Sequence, residues 1–294
     1  MLDYRIPLEL TKYLASKERN YIPWLSFFSS LPALVHVIGR TQYNGIFQQY
    51  IISIIKPLYD ELGTSEKPGE SQNDKLLRSF IIKIACSNNY EPCLEWAKQK
   101  YQEWMASPEP DKVNPIPFDF RETVQCSAIK AGGQKEWEFL WQRTLYPLIS
   151  PVNLKLAYLT LGCTREPWLI NSYLEKSLDG SIAIQNIQYI WKSIAHPVGL
   201  NVGFEFLRTD WDRIYDSYQH IFGNIKSIFE DFLSKLSTKT DLEDLTVFYR
   251  NHKENLYPVS SLILSVVDRL KWRIYWTQSH METIVTWLLQ NITK

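Results

Sequence analysis

The stretch DKLLRSFIIKIACSNN, residues 74–89, carries the clearest fold signal in the chain. Its apolar residues recur in adjacent pairs every four positions, which is typical of one broad face of an α-helix; they are Leu76, Leu77, Phe80, Ile81, Ile84 and Ala85. The stretch LEWAKQKYQEWM, residues 94–105, continues the same period. Strand-like alternation is nearly absent, and no Asn-Gly or Asp-Gly pair joins two β-branched runs. The sequence therefore predicts an all-α protein.

Helix start and stop signals divide this pattern into helix hairpins. Ser150 and Thr164 precede proline-containing first turns, and Thr240 with Glu243 fits a capping box. Glycines stand where helices are expected to end, at Gly63, Gly132 and Gly223. The predicted hairpins cover residues 74–105, 118–145 and 152–178, and residues 260–290 form a long closing helix. Their recurrence predicts a superhelical solenoid of antiparallel helix hairpins in one domain, residues 1–294.

The stretch CSAIKAGGQKEWEFLWQRTL, residues 126–145, combines a glycine pair with closely spaced aromatic residues. We expect Gly132 and Gly133 to end one helix and let the next fold back, because glycine accepts positive φ angles. Trp137 and Trp141 lie four residues apart and share a helix face. We interpret them as core residues rather than as an exposed platform for peptide binding.

Composition excludes several classes of protein. The 32 basic and 32 acidic residues balance, which argues against a nucleic-acid partner. The first residues, MLDYRIPLELTKYL, lack the basic and apolar regions of a signal peptide. No apolar run reaches the ~18 residues that a membrane span requires. We expect no membrane contact by this segment, and the oligomeric state stays open.

No catalytic motif is present in the sequence. None of the histidines begins the HExxH motif that holds catalytic zinc; they are His36, His196, His220, His252 and His280. A GxSxG nucleophile elbow and a phosphate-binding loop are absent as well. We therefore expect no catalytic residue, no metal ligand and no cofactor in this chain.

Four cysteines allow three pairings. Cys86 and Cys93 flank a turn between two helices, so both would lie at the same end of a hairpin. The pairing that we favour joins Cys86 with Cys93 and Cys126 with Cys163, the latter two on helices of successive hairpins. Four free buried thiols in a cytosolic protein are an equally open alternative. Disulfides would place the chain in an oxidising compartment.

Several segments resemble the C-terminal domain of the M1 family of zinc aminopeptidases, nearest to aminopeptidase N and the endoplasmic reticulum aminopeptidases. The resemblance rests on LLRSFIIKIACSNNYEPCLEWAKQKYQEWM, VQCSAIKAGGQKEWEFLWQR and LGCTREPWLINSYLEKSLDGSI, and extends to HPVGLNVGFEFLRTDW from His196. It implies a bowl of HEAT- or armadillo-like hairpins. It also implies the disulfides Cys86–Cys93 and Cys126–Cys163, which extracellular members carry at matching positions.

The resemblance further implies a function for a larger parent protein. In the family, this domain covers a catalytic domain that holds the zinc, and it shapes the cavity in which the peptide is bound. The expected partners are therefore the parent's own catalytic domain and a peptide substrate. Asn291, in the sequon Asn291-Ile292-Thr293 beyond the closing helix, is the candidate glycosylation residue. The expected location is the secretory pathway, at the cell surface or outside the cell, with the endoplasmic reticulum lumen as the alternative.

One segment departs from the family pattern. Where members carry a basic and an acidic residue, this chain has Ala183 and Asn186. The simpler interpretation is the loss of a surface ion pair, which contributes little to stability. The alternative is a lost contact to peptide or to a neighbouring domain. It supports a second hypothesis, in which the chain is a non-catalytic scaffold that binds a protein or peptide.

Overall fold

The structure is a computed structural model that describes residues 3–218 and 225–292. The described residues form helices, turns and irregular segments, and no β-strand occurs among them. The all-α prediction is therefore confirmed. The solenoid and bowl geometry stays a prediction.

The α-helices follow one another through most of the described sequence. In chain order they are α1 Arg5–Lys17, α2 Tyr21–Ser30, α3 Pro32–Ile38, α4 Asn44–Leu62, α5 Gln72–Ser87, α6 Glu91–Met105, α7 Phe118–Ala131, α8 Gln134–Thr144, α9 Pro151–Leu161, α10 Pro167–Glu175, α11 Ile187–Ser193, α12 Pro197–Thr209, α13 Trp211–Tyr218, α14 Ile225–Leu233, α15 Lys239–Asn251 and α16 Ser260–Ile292. Short 3₁₀ turns precede α11 and α16. The predicted hairpins correspond to α5 with α6, α7 with α8, and α9 with α10.

The helices group into two compact units. The first comprises residues within Met1–Lys100, Ile116–Val124 and Tyr275–Lys294, and the second Tyr101–Pro115 and Gln125–Ile274. In the first unit, α4 packs against α1 and α5. In the second, α9 packs against α8 and α11, while α10 packs against α12. The expectation of a single domain over residues 1–294 stays a prediction.

In the first unit, the buried face of α5 is shifted by one position along the sequence from the predicted face. Leu77, Ile81 and Ala85 are buried as expected, but Leu76 is 43% exposed and Arg78 is only 1% exposed. Arg78 can be buried because its charge is paired: the guanidinium donates to Glu70, with Nη1 2.6 Å from Oε2, and its Nε donates to the Leu62 carbonyl. Hydrophobic periodicity alone does not reveal a paired charge inside a core.

Within the first unit, the closing helix α16 bonds to the N-terminal helix α1 and to Tyr4, the residue before it. Trp287 Nε1 donates to Glu9 Oε1 at 2.7 Å, and Trp276 Nε1 donates to the Tyr4 hydroxyl at 2.6 Å. The length predicted for this helix is confirmed, since α16 extends over Ser260–Ile292. No helix of the described residues is long and apolar enough to cross a membrane.

In the second unit, Trp137 and Trp141 are buried and stack with ring centroids 5.7 Å apart, which confirms their core assignment. Tyr173 packs edge-on against Trp137, whose Nε1 donates to a backbone carbonyl 3.1 Å away. The predicted role of Gly132 needs correction, because it does not have a positive φ angle. It is required for space instead, since a Cβ atom there would lie 2.8 Å from the Ala128 carbonyl oxygen.

Helix caps were predicted with mixed success. Ser150 caps α9 as expected, and its side chain accepts from the Asn153 N–H. Thr164 does not cap α10, because the cap position is Glu166. The capping box of α15 uses Thr238 rather than Thr240, with Asp241 at the third helical position. Gly63 ends α4 with a φ of +67°, as predicted, whereas Gly223 lies outside the described residues.

Candidate functional site

The histidines of the described chain do not gather into a centre. His36 lies in α3, His196 precedes α12, His252 follows α15 and His280 lies in α16, whereas His220 falls outside the described residues. Residues 3–218 and 225–292 contain no group of three His, Cys, Asp or Glu side chains placed to hold a metal ion. The absence of a zinc site from the whole chain stays a prediction.

The four cysteines form the two expected pairs, and no free cysteine is present in the structure. Cys86 at the end of α5 bonds to Cys93 in the first turn of α6, with Cα atoms 5.2 Å apart. The turn between them is tight, and Asn89 adopts a φ of +62°. Both sulfurs are buried, so this bond lies inside the first unit.

The second bond, Cys126–Cys163, has a different environment. It joins α7 to the segment that follows α9, with Cα atoms 5.3 Å apart and both residues half-buried. The two cysteines lie 37 positions apart in sequence. The bond therefore holds one face of α7 against the beginning of the loop that leads to α10.

His196 is fixed beside this bond by two backbone groups. Its Nδ1 accepts from the Gly199 N–H at 3.1 Å, which caps α12, and its Nε2 lies 2.9 Å from the Gly162 carbonyl oxygen. These partners assign the proton to Nε2. The pKa of His196 falls to about 3, first because of burial and then because Arg165 and Lys130 are positive. His196 is therefore neutral near pH 7.

Lys130 and Arg165 complete a cluster of basic side chains with His196, and we call these three residues the basic cluster. The pKa of Lys130 falls to about 8, because of burial and the nearby Arg165 charge. Burial also lowers the pKa of Arg165, and its Nη1 is buried with no hydrogen-bond partner in the described chain. All three residues of the basic cluster are half-buried, so its positive charges are partly removed from water.

The basic cluster was not predicted from the sequence, although one signal was available. Lys130 lies one helical turn after Cys126, and Arg165 lies two residues after Cys163. The disulfide pairing therefore brings two cations together that are distant in sequence. Without that pairing, each residue is an ordinary lysine or arginine of a charged surface.

The remaining predicted site residue, Asn291, lies in a different place from the one expected. It belongs to the last turn of α16 rather than to a segment beyond the helix, and it is half-buried. Its Nδ2 donates to the Trp287 carbonyl at 2.7 Å. Thr293 of the sequon lies outside the described residues, and glycosylation stays a prediction.

The segment that departs from the family pattern lies at the surface of the second unit. Ala183, Ile184 and Gln185 are exposed, whereas Ile182 is buried beneath them. Residues Ile184–Asn186 form a 3₁₀ turn that leads into α11. Ala183 is therefore exposed and Asn186 is half-buried, and an ion pair in such a surface turn would contribute little to stability.

Comparison with known proteins identifies the domain type. Aminopeptidase N of Bos taurus is 27% identical over 98% of this chain, and that of Homo sapiens is 24% identical over 94%. Aminopeptidase Ey of Gallus gallus is 24% identical over 96%. The chain spans only about 30% of the length of these relatives. Residues 1–271 match the ERAP1-like C-terminal domain family, and the chain therefore belongs to that family.

Proposed function

We propose that this chain is the C-terminal domain of a zinc aminopeptidase, and that it covers the catalytic cleft of its parent protein. The observation that carries the proposal is the family match over residues 1–271, together with the 30% share of aminopeptidase N that the chain spans. The parent would remove N-terminal residues from peptides. Its catalytic domain, upstream of this chain, would hold the zinc, and this chain would hold none.

Covering a cleft requires a domain that keeps its shape while it excludes water from the reaction. The cross-linked hairpins of this chain suit that role. Cys86–Cys93 fixes α5 to α6, and Cys126–Cys163 fixes α7 to the segment after α9. The proposed partners are accordingly the parent's catalytic domain and the peptide enclosed between the two domains.

The test compares the isolated chain with its parent. Supplied with zinc, the isolated chain should not hydrolyse aminoacyl substrates, whereas the parent should hydrolyse them and also remove N-terminal residues from peptides. A mock purification controls for contaminating peptidase. Turnover by the isolated chain that scales with its concentration would contradict the proposal. A parent without HExxH upstream would contradict it equally.

We also propose that the domain matures in the secretory pathway, at the cell surface or outside the cell, with the endoplasmic reticulum lumen as the alternative. The two disulfides support this location, because such bonds persist in oxidising compartments. The balanced charge supports neither nucleic acid nor an anionic membrane surface as a partner.

A second candidate function is a non-catalytic scaffold that binds a protein or peptide. It is favoured by the exposed, uncharged turn at Ala183 and Ile184, where the family pattern has charges. A parent with degenerate zinc ligands that nevertheless binds peptide would support this function. Restoring the two charges, with Ala183→Lys and Asn186→Glu, should then change peptide binding; unchanged binding would count against the scaffold.

A further inference from the structure

We propose that Lys130 and Arg165, held together by the Cys126–Cys163 bond, form a binding site for one small oxyanion of the carboxylate or phosphate class. The site lies entirely within the second unit. The inference stands apart from the proposed function, because it concerns only how this domain compensates a buried positive charge.

The fold brings the two cations together through a short chain of contacts. Cys126 and Cys163 are bonded, Lys130 follows Cys126 by one helical turn, and Arg165 follows Cys163 by two residues. His196 contacts the same segment, since its Nε2 lies 2.9 Å from the carbonyl oxygen of Gly162, the residue before Cys163.

The unmet requirement belongs to Arg165. A guanidinium carries five N–H donors and stays charged at every physiological pH. In the described chain, Nη1 of Arg165 is buried without a hydrogen-bond partner, while the side chain as a whole is only half-buried. Buried charges in proteins are paired or bound to ions, because an uncompensated buried charge is strongly unfavourable. A bound anion at the half-exposed side would accept from the other N–H groups of the guanidinium and compensate its charge.

The electrostatic surroundings favour an anion over a water molecule. Lys130 adds a second positive charge. The charges of Arg165 and Lys130 both lower the pKa of His196. His196 caps α12, so the positive end of that helix dipole lies beside the cluster. The His196 ring adds no charge of its own, since its pKa of about 3 keeps it neutral. An oxyanion offers the paired acceptors that a guanidinium binds in a bidentate manner.

The experiment measures thermal unfolding of the whole chain while sodium acetate or sodium phosphate replaces sodium chloride at constant ionic strength. We expect a saturable rise in the melting temperature with one of the two oxyanions, and the more effective one identifies the class of ligand. Arg165→Gln should abolish the rise, and Arg165→Lys should weaken apparent affinity by about tenfold because the planar fork is lost. Arg208→Gln is the matched control, since Arg208 is exposed and pairs with Glu205.

Three outcomes would overturn the proposal. The first is no saturable effect of either oxyanion on the wild-type chain, which would leave water as the only ligand. The second is an effect that Arg165→Gln retains in full. The third is an equal loss in Arg208→Gln, which would indicate a general salt effect. If Arg165→Gln does not fold, Arg165→Lys and Lys130→Gln provide the same comparison with wild type and with Arg208→Gln.

Discussion

Replacing His196 by asparagine should remove an acid sensitivity of the second unit. The imidazole accepts from Gly199 and donates to Gly162, so its neutral form is required in the folded chain. The groups that face it are the positive Arg165 and Lys130, and both disfavour a third positive charge. Asparagine has an acceptor oxygen that can cap α12 in the same way. The substitution therefore removes the titration while keeping the cap.

The magnitude follows from proton linkage. The unfolded chain binds a proton at His196 below pH ~6.5, whereas the folded chain binds it only near pH 3. The stability that neutral His196 contributes is therefore fully present above the pKa of His196 in the unfolded chain. It is lost as the pH falls toward the pKa of His196 in the folded chain. Between pH 7 and pH 5 the free energy of unfolding falls by about 2 kcal/mol. This figure is nearly independent of the pKa of His196 in the folded chain as long as that pKa lies below ~4.

The assay compares the free energy of unfolding in urea at pH 7 and pH 5 for three proteins: wild type, His196→Asn and His196→Ala. We expect His196→Asn to lose about 2 kcal/mol less than wild type over this interval. His196→Ala should be less stable at both pH values, because the cap is gone, but should share the smaller pH dependence. An NMR titration of the ring gives a direct check. A His196 ring that titrates near pH 6.5 in the folded chain would refute the reasoning.

Three further predictions concern the ion pair, the half-exposed disulfide and the sequon. Arg78→Met alone should destabilise the first unit by about 3–5 kcal/mol, since Glu70 is left buried and unpaired, whereas Arg78→Met with Glu70→Leu should recover most of the loss in urea unfolding. Replacing Cys126 and Cys163 by serine should lower stability by about 4 kcal/mol on the chain-entropy estimate, and non-reducing peptide mapping should recover these two residues linked in wild type. Asn291 should carry a glycan when the chain is secreted, and an intact mass unchanged by glycosidase would contradict this.

The helical architecture could be predicted from sequence because its signals are local. Apolar periodicity, proline after Ser150 and a glycine at position 63 each act within a few residues, and the structure follows them. Errors arose where two local signals competed. Thr238 and Thr240 each stand three residues before an acidic residue, and in the structure it is Thr238 and Asp241 whose side chains accept from each other's backbone N–H groups.

The details that escaped prediction depend on contacts between distant residues. Arg78 is buried because Glu70, on the loop before α5, folds back to pair with it. The Tyr4 hydroxyl accepts from Trp276, a residue on the last helix. A local sequence pattern does not predict such contacts, because the residues that form them are far apart in the chain. The basic cluster is an intermediate case, because a correct cysteine pairing is sufficient to place Lys130 near Arg165.

The Cys126–Cys163 bond therefore has two opposing effects on the same region. It restricts the unfolded chain, which stabilises the fold by about 4 kcal/mol in the chain-entropy model. It also holds Lys130 close to Arg165: burial lowers the pKa of Lys130 to about 8, and the positive charge of Arg165 adds to that effect. Without the bond, the two cations could separate and be hydrated independently. A bound oxyanion would remove that conflict while the disulfide stays intact, so loss of the bond and loss of the anion should affect the same helices, α7 and α12.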